Sequence, residues 1–238
     1  MAEGQDKARY VREMFTRIAH RYDLMNALMT LGRHQAWRRI AAGMAGPTGG
    51  GLALDVATGT GDLALALLAE ARVRRVVGLD FAEGMLRVGR EKLALKDPTG
   101  RVSLVVGDAL ALPFPDRSFA CVASAFLLRN LADLGQGLRE MQRVTRAGGR
   151  VVALEITQPT LPGFSAVFRW YFHGLVPWLG GLVSGDREAY TYLPRSVDRF
   201  LPPAELARLM AATGLTDVSY RRLGLGTVTV HVGSVPPA

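Results

Sequence analysis

Between residues 52 and 157 the chain alternates short apolar runs with stretches of helical composition, and few folds accommodate that rhythm. LALDVA (52–57) is followed by a glycine turn and DLALALLAEA (62–71); RVVGLD (75–80) is followed by AEGMLRVGREKLAL (82–95). VSLVVGD (102–108) and FACVASAF (119–126) come before LGQGLREMQRVT (134–145), and RVVALEIT (150–157), opened by an Ala147-Gly148-Gly149 turn, ends the series. Apolar runs of this length read as strands buried on both faces, which needs helices on both sides of one sheet. The expectation is an α/β fold with a doubly wound, mostly parallel sheet. After a helix at 204–213, VSYRRL (218–223) and TVTVHVG (227–233) alternate in polarity and read as an antiparallel pair at the sheet's edge, making seven strands.

The flanks follow other rules. In the first forty residues Tyr10, Met14 and Ile18, with Val11, Phe15 and Tyr22, recur at spacings of three and four, which reads as helix. The run Gly46-Pro47-Thr48-Gly49-Gly50-Gly51 reads as loop. The reading is therefore one domain over 1–238, with a helical cap at 1–45 and an insertion or lid at 159–202.

Composition bounds the class. At 49% hydrophobic and 21% charged, 238 residues suit a globular domain. A single cysteine, Cys121, excludes an internal disulfide framework and points to a reducing cytoplasm. The N-terminus is polar, without the pattern of a secretory signal. The most apolar stretch, residues 164–184, is broken by Arg169, His173, Pro177 and glycines, too soon for a membrane span. It reads either as a buried lid helix or as a groove lining that touches the membrane's inner face. The net charge of +8 would suit nucleic acid or anionic lipid, but the basic residues are scattered among acids, which argues against nucleic acid. A homodimer is expected on base rates alone.

The chemistry concentrates at Asp55-Val56-Ala57-Thr58-Gly59-Thr60-Gly61-Asp62, between the first strand and the first helix of the alternation. Gly59 and Gly61 permit a tight turn and close approach of a ligand to the backbone. Gly59-Thr60-Gly61-Asp62-Leu63-Ala64 satisfies the dinucleotide pattern GxGxxG/A, with Asp80 about twenty residues later. Three acids shift the reading to S-adenosyl-L-methionine. Asp55 would repel a pyrophosphate yet suits an ammonium and a sulfonium. Asp80, ending the second strand, can accept from both ribose hydroxyls. Asp108 can accept from an adenine amine beside the N–H of Ala109. Asp62 and Asp80 could instead cap helices.

At this point the chain resembles the UbiE/COQ5 family of quinone-ring C-methyltransferases, within the class I methyltransferases. The first family signature is matched by Tyr22-Asp23-Leu24-Met25-Asn26 with Gly32-Arg33-His34 and Trp37, the second by Arg143-Val144, Gly148-Gly149-Arg150 and Leu154-Glu155. Leu128-Arg129-Asn130 and Tyr192-Leu193, with Ser196 and Phe200, match further landmarks. Arg146-Ala147 and Ala125 depart from the usual Lys-Pro and Ser. The resemblance implies cofactor positions at Thr60, Asp80, Asp108 and Ala109. It also implies C-methylation of a prenylated hydroquinone, demethylmenaquinol before the ubiquinone precursor; the alternative, prompted by the basic charge and not by the resemblance, is a methyltransferase acting on RNA or another small aromatic molecule. The methyl needs no metal. Arg129 and Asn130 become catalytic candidates beside the cofactor edge, and Tyr22 and His34 could contact the same hydroxyl. Each has a plainer reading: His34 as a surface or packing histidine, Tyr22 as core, Asp23 as an N-cap, Arg129 paired with Asp133 at the surface.

Overall fold

The computed structural model describes residues 2–46 and 50–237, with side chains from residue 6 onward. Within the expected loop, Pro47, Thr48 and Gly49 lie outside the described residues. Two helices open the chain, α1 (Ala2–Thr30) and α2 (Arg33–Ala45). The alternation follows as β1 (Gly51–Val56), α3 (Asp62–Leu68), β2 (Val73–Asp80), α4 (Glu83–Lys96), β3 (Val102–Val106), β4 (Phe119–Ala125), a 3₁₀ turn (Leu128–Asn130), α5 (Leu134–Val144) and β5 (Thr145–Ile156). Next come α6 (Phe164–Trp170), a widened π turn (Tyr171–Leu175), α7 (Val176–Ser184), α8 (Arg187–Asp198) and α9 (Pro203–Ala212). The antiparallel β6 (Thr216–Leu223) and β7 (Val228–Ser234) end it.

The seven strands lie in the order β3-β2-β1-β4-β5-β7-β6; the first five are parallel, β7 runs antiparallel to β5, and β6 pairs antiparallel with β7. β1 and β4 are neighbours, so the chain winds outward through β2 and β3 and returns on the other side of β1. That reversal opens a crevice at the carboxyl ends of β1 and β4, where open α/β sheets bind ligands. Strand periodicity divides the core. Leu54, Val56, Val122 and Val151 pack on one face with α5 and α9. Ala53, Cys121, Ala123 and Val152 pack on the other with α2 and α3.

Two expectations change at the boundaries. Ala147-Gly148-Gly149 is a bulge inside β5 and does not open it, because the strand begins at Thr145 opposite Phe119 and its register shifts before Arg150. Gly148, at φ 70, and Gly149 exchange backbone hydrogen bonds with Val235 there. Asp23 is no N-cap, since α1 runs unbroken through it.

The cap and the insertion share a separate core. Met14, Ile18 and Met25 of α1 pack against Phe172, Val176, Ala189 and Tyr190. Gly180 of α7 lies so close to the Tyr190 ring that a Cβ would clash with it, which is what lets α7 and α8 meet. Among the described residues no helix is long and apolar enough to cross a membrane.

Candidate active site

The glycine turn is held from behind. Asp55 is fully buried within β1 and accepts from the Thr58 hydroxyl at 2.7 Å, while its other oxygen has no hydrogen-bond partner among the described residues. Burial pushes this carboxyl up to about 7, against the pull of Thr58 and Arg38. Asp80 is also buried, and it accepts from the N–H groups of Gly59 at 2.8 Å and Ala82 at 2.9 Å. Its carboxyl is raised by burial to about 6. The Gly59 N–H that a pyrophosphate would require is therefore already committed to a carboxylate, which disfavours the dinucleotide reading.

Two cavities meet at this end of the sheet. The narrower runs along Gly59, Asp80, Gly107, Asp108 and Ala109, beneath Ala8, Val11 and Phe15 of α1. The larger, about 720 Å³, is predominantly apolar and lies among α1, α6, α7, α8 and the 3₁₀ turn. That volume falls in the range of small-molecule sites. Phe15, Tyr22, Phe126 and Asn130 line both. Ala57 and Phe126 follow β1 and β4 with φ of 58° and 63°, a strained geometry for side-chain-bearing residues that clusters at functional sites.

All four catalytic candidates, Tyr22, His34, Arg129 and Asn130, line the larger cavity. Arg129 is no surface partner of Asp133, which instead caps α5 by accepting from the Gln136 N–H. Its guanidinium is buried and donates at 2.9 Å to Glu155 and at 2.8 Å to the Phe126 carbonyl. Glu155 also accepts from the Leu128 N–H at 2.6 Å; burial raises its carboxyl, and Arg129 counters the rise. The two buried charges thus hold the 3₁₀ turn against β5. Asn130 accepts from the Tyr192 hydroxyl at 3.1 Å, bringing α8 to the same point.

His34 is 4% exposed, so it is no surface residue. Its Nδ1 lies 2.6 Å from the Arg38 guanidinium, which can only donate, and this leaves the ring proton on Nε2. Burial and Arg38 lower its pKa, keeping the imidazole neutral. The ring is thus a hydrogen-bond donor through Nε2.

Of the cofactor candidates, Gly59, Asp80, Asp108 and Ala109 line the narrow cavity. Asp108 is exposed and steadies its own turn by accepting from Leu110 N–H at 2.9 Å. Asp55, Thr60 and Gly61 line neither cavity and form the wall behind it. Thr60 is covered, donating to Asp23 at 2.7 Å and accepting from Lys92 at 2.9 Å. Lys92 also bridges to Asp62 at 2.7 Å, and burial of Asp62 is outweighed by Arg38 and Lys92, which hold its carboxyl below the usual range. This cluster latches the cap to the turn. It carried no local signal, because Asp23, Thr60 and Lys92 are remote in sequence. Glu155 did carry one: a carboxylate in an apolar strand needs a buried partner.

The narrow cavity suits a cationic nucleoside. Its rim offers carboxylates at the ends of β2 and β3, and at Gly59 a Cβ would stand 3.2 Å from Met85 and 4.0 Å from Tyr22, so the absent side chain leaves room for close approach.

Comparison with known proteins agrees. Residues 3–235 match the ubiE/COQ5 methyltransferase family. The chain is 47% identical to the demethylmenaquinone methyltransferase of Deinococcus radiodurans, covering 98% of this chain and 95% of that one. It is 41% identical to the ubiquinone/menaquinone biosynthesis C-methyltransferase UbiE of Geobacter sulfurreducens, covering 96% and 89%. Among solved structures, a Thermotoga maritima S-adenosylmethionine-dependent methyltransferase shares the fold at a TM-score of 0.65 and 18% identity, covering 93% and 98%. The chain belongs to the ubiE/COQ5 methyltransferase family, and its methyl donor is S-adenosylmethionine.

Proposed function

We propose that this methyltransferase converts demethylmenaquinol to menaquinol by C-methylation of the ring. The observation that carries the reading is the junction of the two cavities: an apolar chamber of about 720 Å³ meets the carboxylate rim at Tyr22, Phe126 and Asn130. A prenylated aromatic ring suits that chamber and an RNA base on its polar backbone does not. The relatives' names supply the quinone, and the Geobacter protein's name also includes the ubiquinone pathway.

In this reading Asp80 accepts from the ribose hydroxyls, Asp108 and the Ala109 N–H receive the adenine, and Gly59 admits the rest at close range. When bound, S-adenosylmethionine supplies a methyl made electrophilic by its cationic sulfur. Arg129, fixed by Glu155, stabilises negative charge on a quinol oxygen beside it as the neighbouring ring carbon takes the methyl, and the proton that carbon loses leaves to solvent through the open rim of the chamber. His34 presents Nε2–H to the same chamber. The apolar walls exclude water, and the junction supplies proximity.

The rim of the chamber suits a lipid surface. Leu31 is 88% exposed, Trp170 69% and Leu225 63%, and Trp178 and Leu182 project from the outer side of α7. Exposed aromatics beside Arg33 and Arg169 favour a bilayer interface, where a quinol's tail remains while its ring enters. The test is turnover of short-chain demethylmenaquinol and of the ubiquinone precursor by purified protein with S-adenosylmethionine, the product identified by mass spectrometry. Methylation of the first is expected; turnover of neither quinol would overturn the reading.

A further inference from the structure

We infer that Asn26 recognises the second ring oxygen of the substrate, the one para to the hydroxyl that Arg129 activates. This rests on the quinol reading above. The Asn26 side-chain amide nitrogen is buried without a hydrogen-bond partner among the described residues, in a residue that lines the larger cavity. An amide donor shut away from water is rarely left unpaired. The backbone is already served: the Asn26 carbonyl accepts from the Thr30 hydroxyl at 2.6 Å, so the side chain is the group left over.

Its position fits one oxygen in particular. Tyr22, one turn earlier on α1, lines both cavities and marks their junction, whereas Asn26 lines only the larger. A turn of helix advances about 5.4 Å along its axis, which sets Asn26 one turn farther from the cavity junction than Tyr22. Arg129 has its own unpartnered buried atom, Nε, in the wall of the same chamber. Among the described residues, the buried side-chain atoms without a partner in this wall are Asn26 Nδ2, Arg129 Nε and the Tyr190 hydroxyl; the two N–H donors, from α1 and from the 3₁₀ turn, match an aromatic ring with two para oxygens. A ring carrying one hydroxyl would leave Asn26 unpaired. Asn26 is thus a specificity-determining residue for dihydroxy rings over monohydroxy ones.

The experiment pairs two enzymes with two substrates. Wild type and Asn26→Leu are assayed with a short-chain prenylated quinol and with the analogue whose remote hydroxyl is replaced by hydrogen. Wild type should prefer the quinol by about 10- to 100-fold in kcat/KM beyond the preference of Asn26→Leu. The ratio of ratios cancels the analogue's lower intrinsic reactivity. Affinity for S-adenosylhomocysteine should be unchanged, since Asn26 does not line the narrow cavity, and this also reports that the variant is folded. Asn26→Ala stands in if the leucine is not accommodated. Equal preferences in wild type and both variants would overturn the inference while leaving quinol methylation intact. Failure of wild type to methylate the quinol would remove both.

Discussion

With the ribose placed on Asp80 as proposed, cofactor binding should be sensitive to protons. Burial pushes its carboxyl to about 6, and the N–H groups of Ala82 and Gly59 restrain the rise. In the proposed placement the ribose hydroxyls would donate to the ionised form, so a proton on Asp80 would compete with the ligand. Affinity for S-adenosylhomocysteine should therefore weaken as the pH falls through about 6, approaching tenfold per pH unit below it. Calorimetric titration between about pH 5 and 8 checks this; an affinity that does not change over that range would separate Asp80 from the site. Glu155 acts through a neighbour. Glu155→Gln removes the negative charge opposite a buried guanidinium, at a cost of about 3 kcal/mol, or roughly 6–12 °C in Tm for a chain of this size. With Arg129 no longer held, kcat should fall about 10- to 100-fold. Glu155 lines neither cavity, so S-adenosylhomocysteine affinity should stay within about threefold; calorimetry and steady-state kinetics together test the split.

At the scale of elements, α1 does most of the closing. Its first turns roof the narrow cavity through Ala8, Val11 and Phe15, and Lys7 ties them down by donating to the carbonyls of Leu131 at 2.7 Å and Arg129 at 3.4 Å. Burial lowers the Lys7 pKa, as expected for an ammonium drawn over a protein surface. Replacing it loosens the roof without touching the rim. Lys7→Met should raise the dissociation rate of S-adenosylhomocysteine about 5- to 10-fold, by the loss of about 1 kcal/mol of charge-assisted bonding; stopped-flow release measures it, and an unchanged rate would show that the ligand leaves by another route. The elements themselves were largely legible. The strand at 75–80, the helix at 134–145 and the edge pair at 218–223 and 227–233 stand within two residues of their expected ends. Ala147-Gly148-Gly149 misled because the same glycines that open a loop also permit a bulge inside a continuing strand.

For the molecule as a whole, the question is how a greasy ring reaches a site at the top of a sheet. Trp178 and Leu182 lie on the outer side of α7, 57% and 70% exposed, outside the walls of the chamber. Trp178→Glu with Leu182→Glu should abolish flotation with anionic liposomes and lower turnover of vesicle-embedded quinol at least about tenfold. Turnover of a short-chain quinol in detergent should be retained. Flotation unchanged in the double variant would place the lipid contact elsewhere.

What the chain order determined by itself is the sheet and the place of its ligand edge. Period and run length encode which residues are buried and in what element, so the strands, the glycine turn after β1 and the acids at 80 and 108 could be read locally. The tertiary structure decided what those elements are buried against. It fused the cap and the insertion into one core, turned Asp55 and Thr60 into the wall behind the turn, gave Arg129 to Glu155 in place of Asp133, and left Asn26 unpaired. Those outcomes depend on side chains up to more than a hundred residues apart, and no local pattern of polarity carries that information.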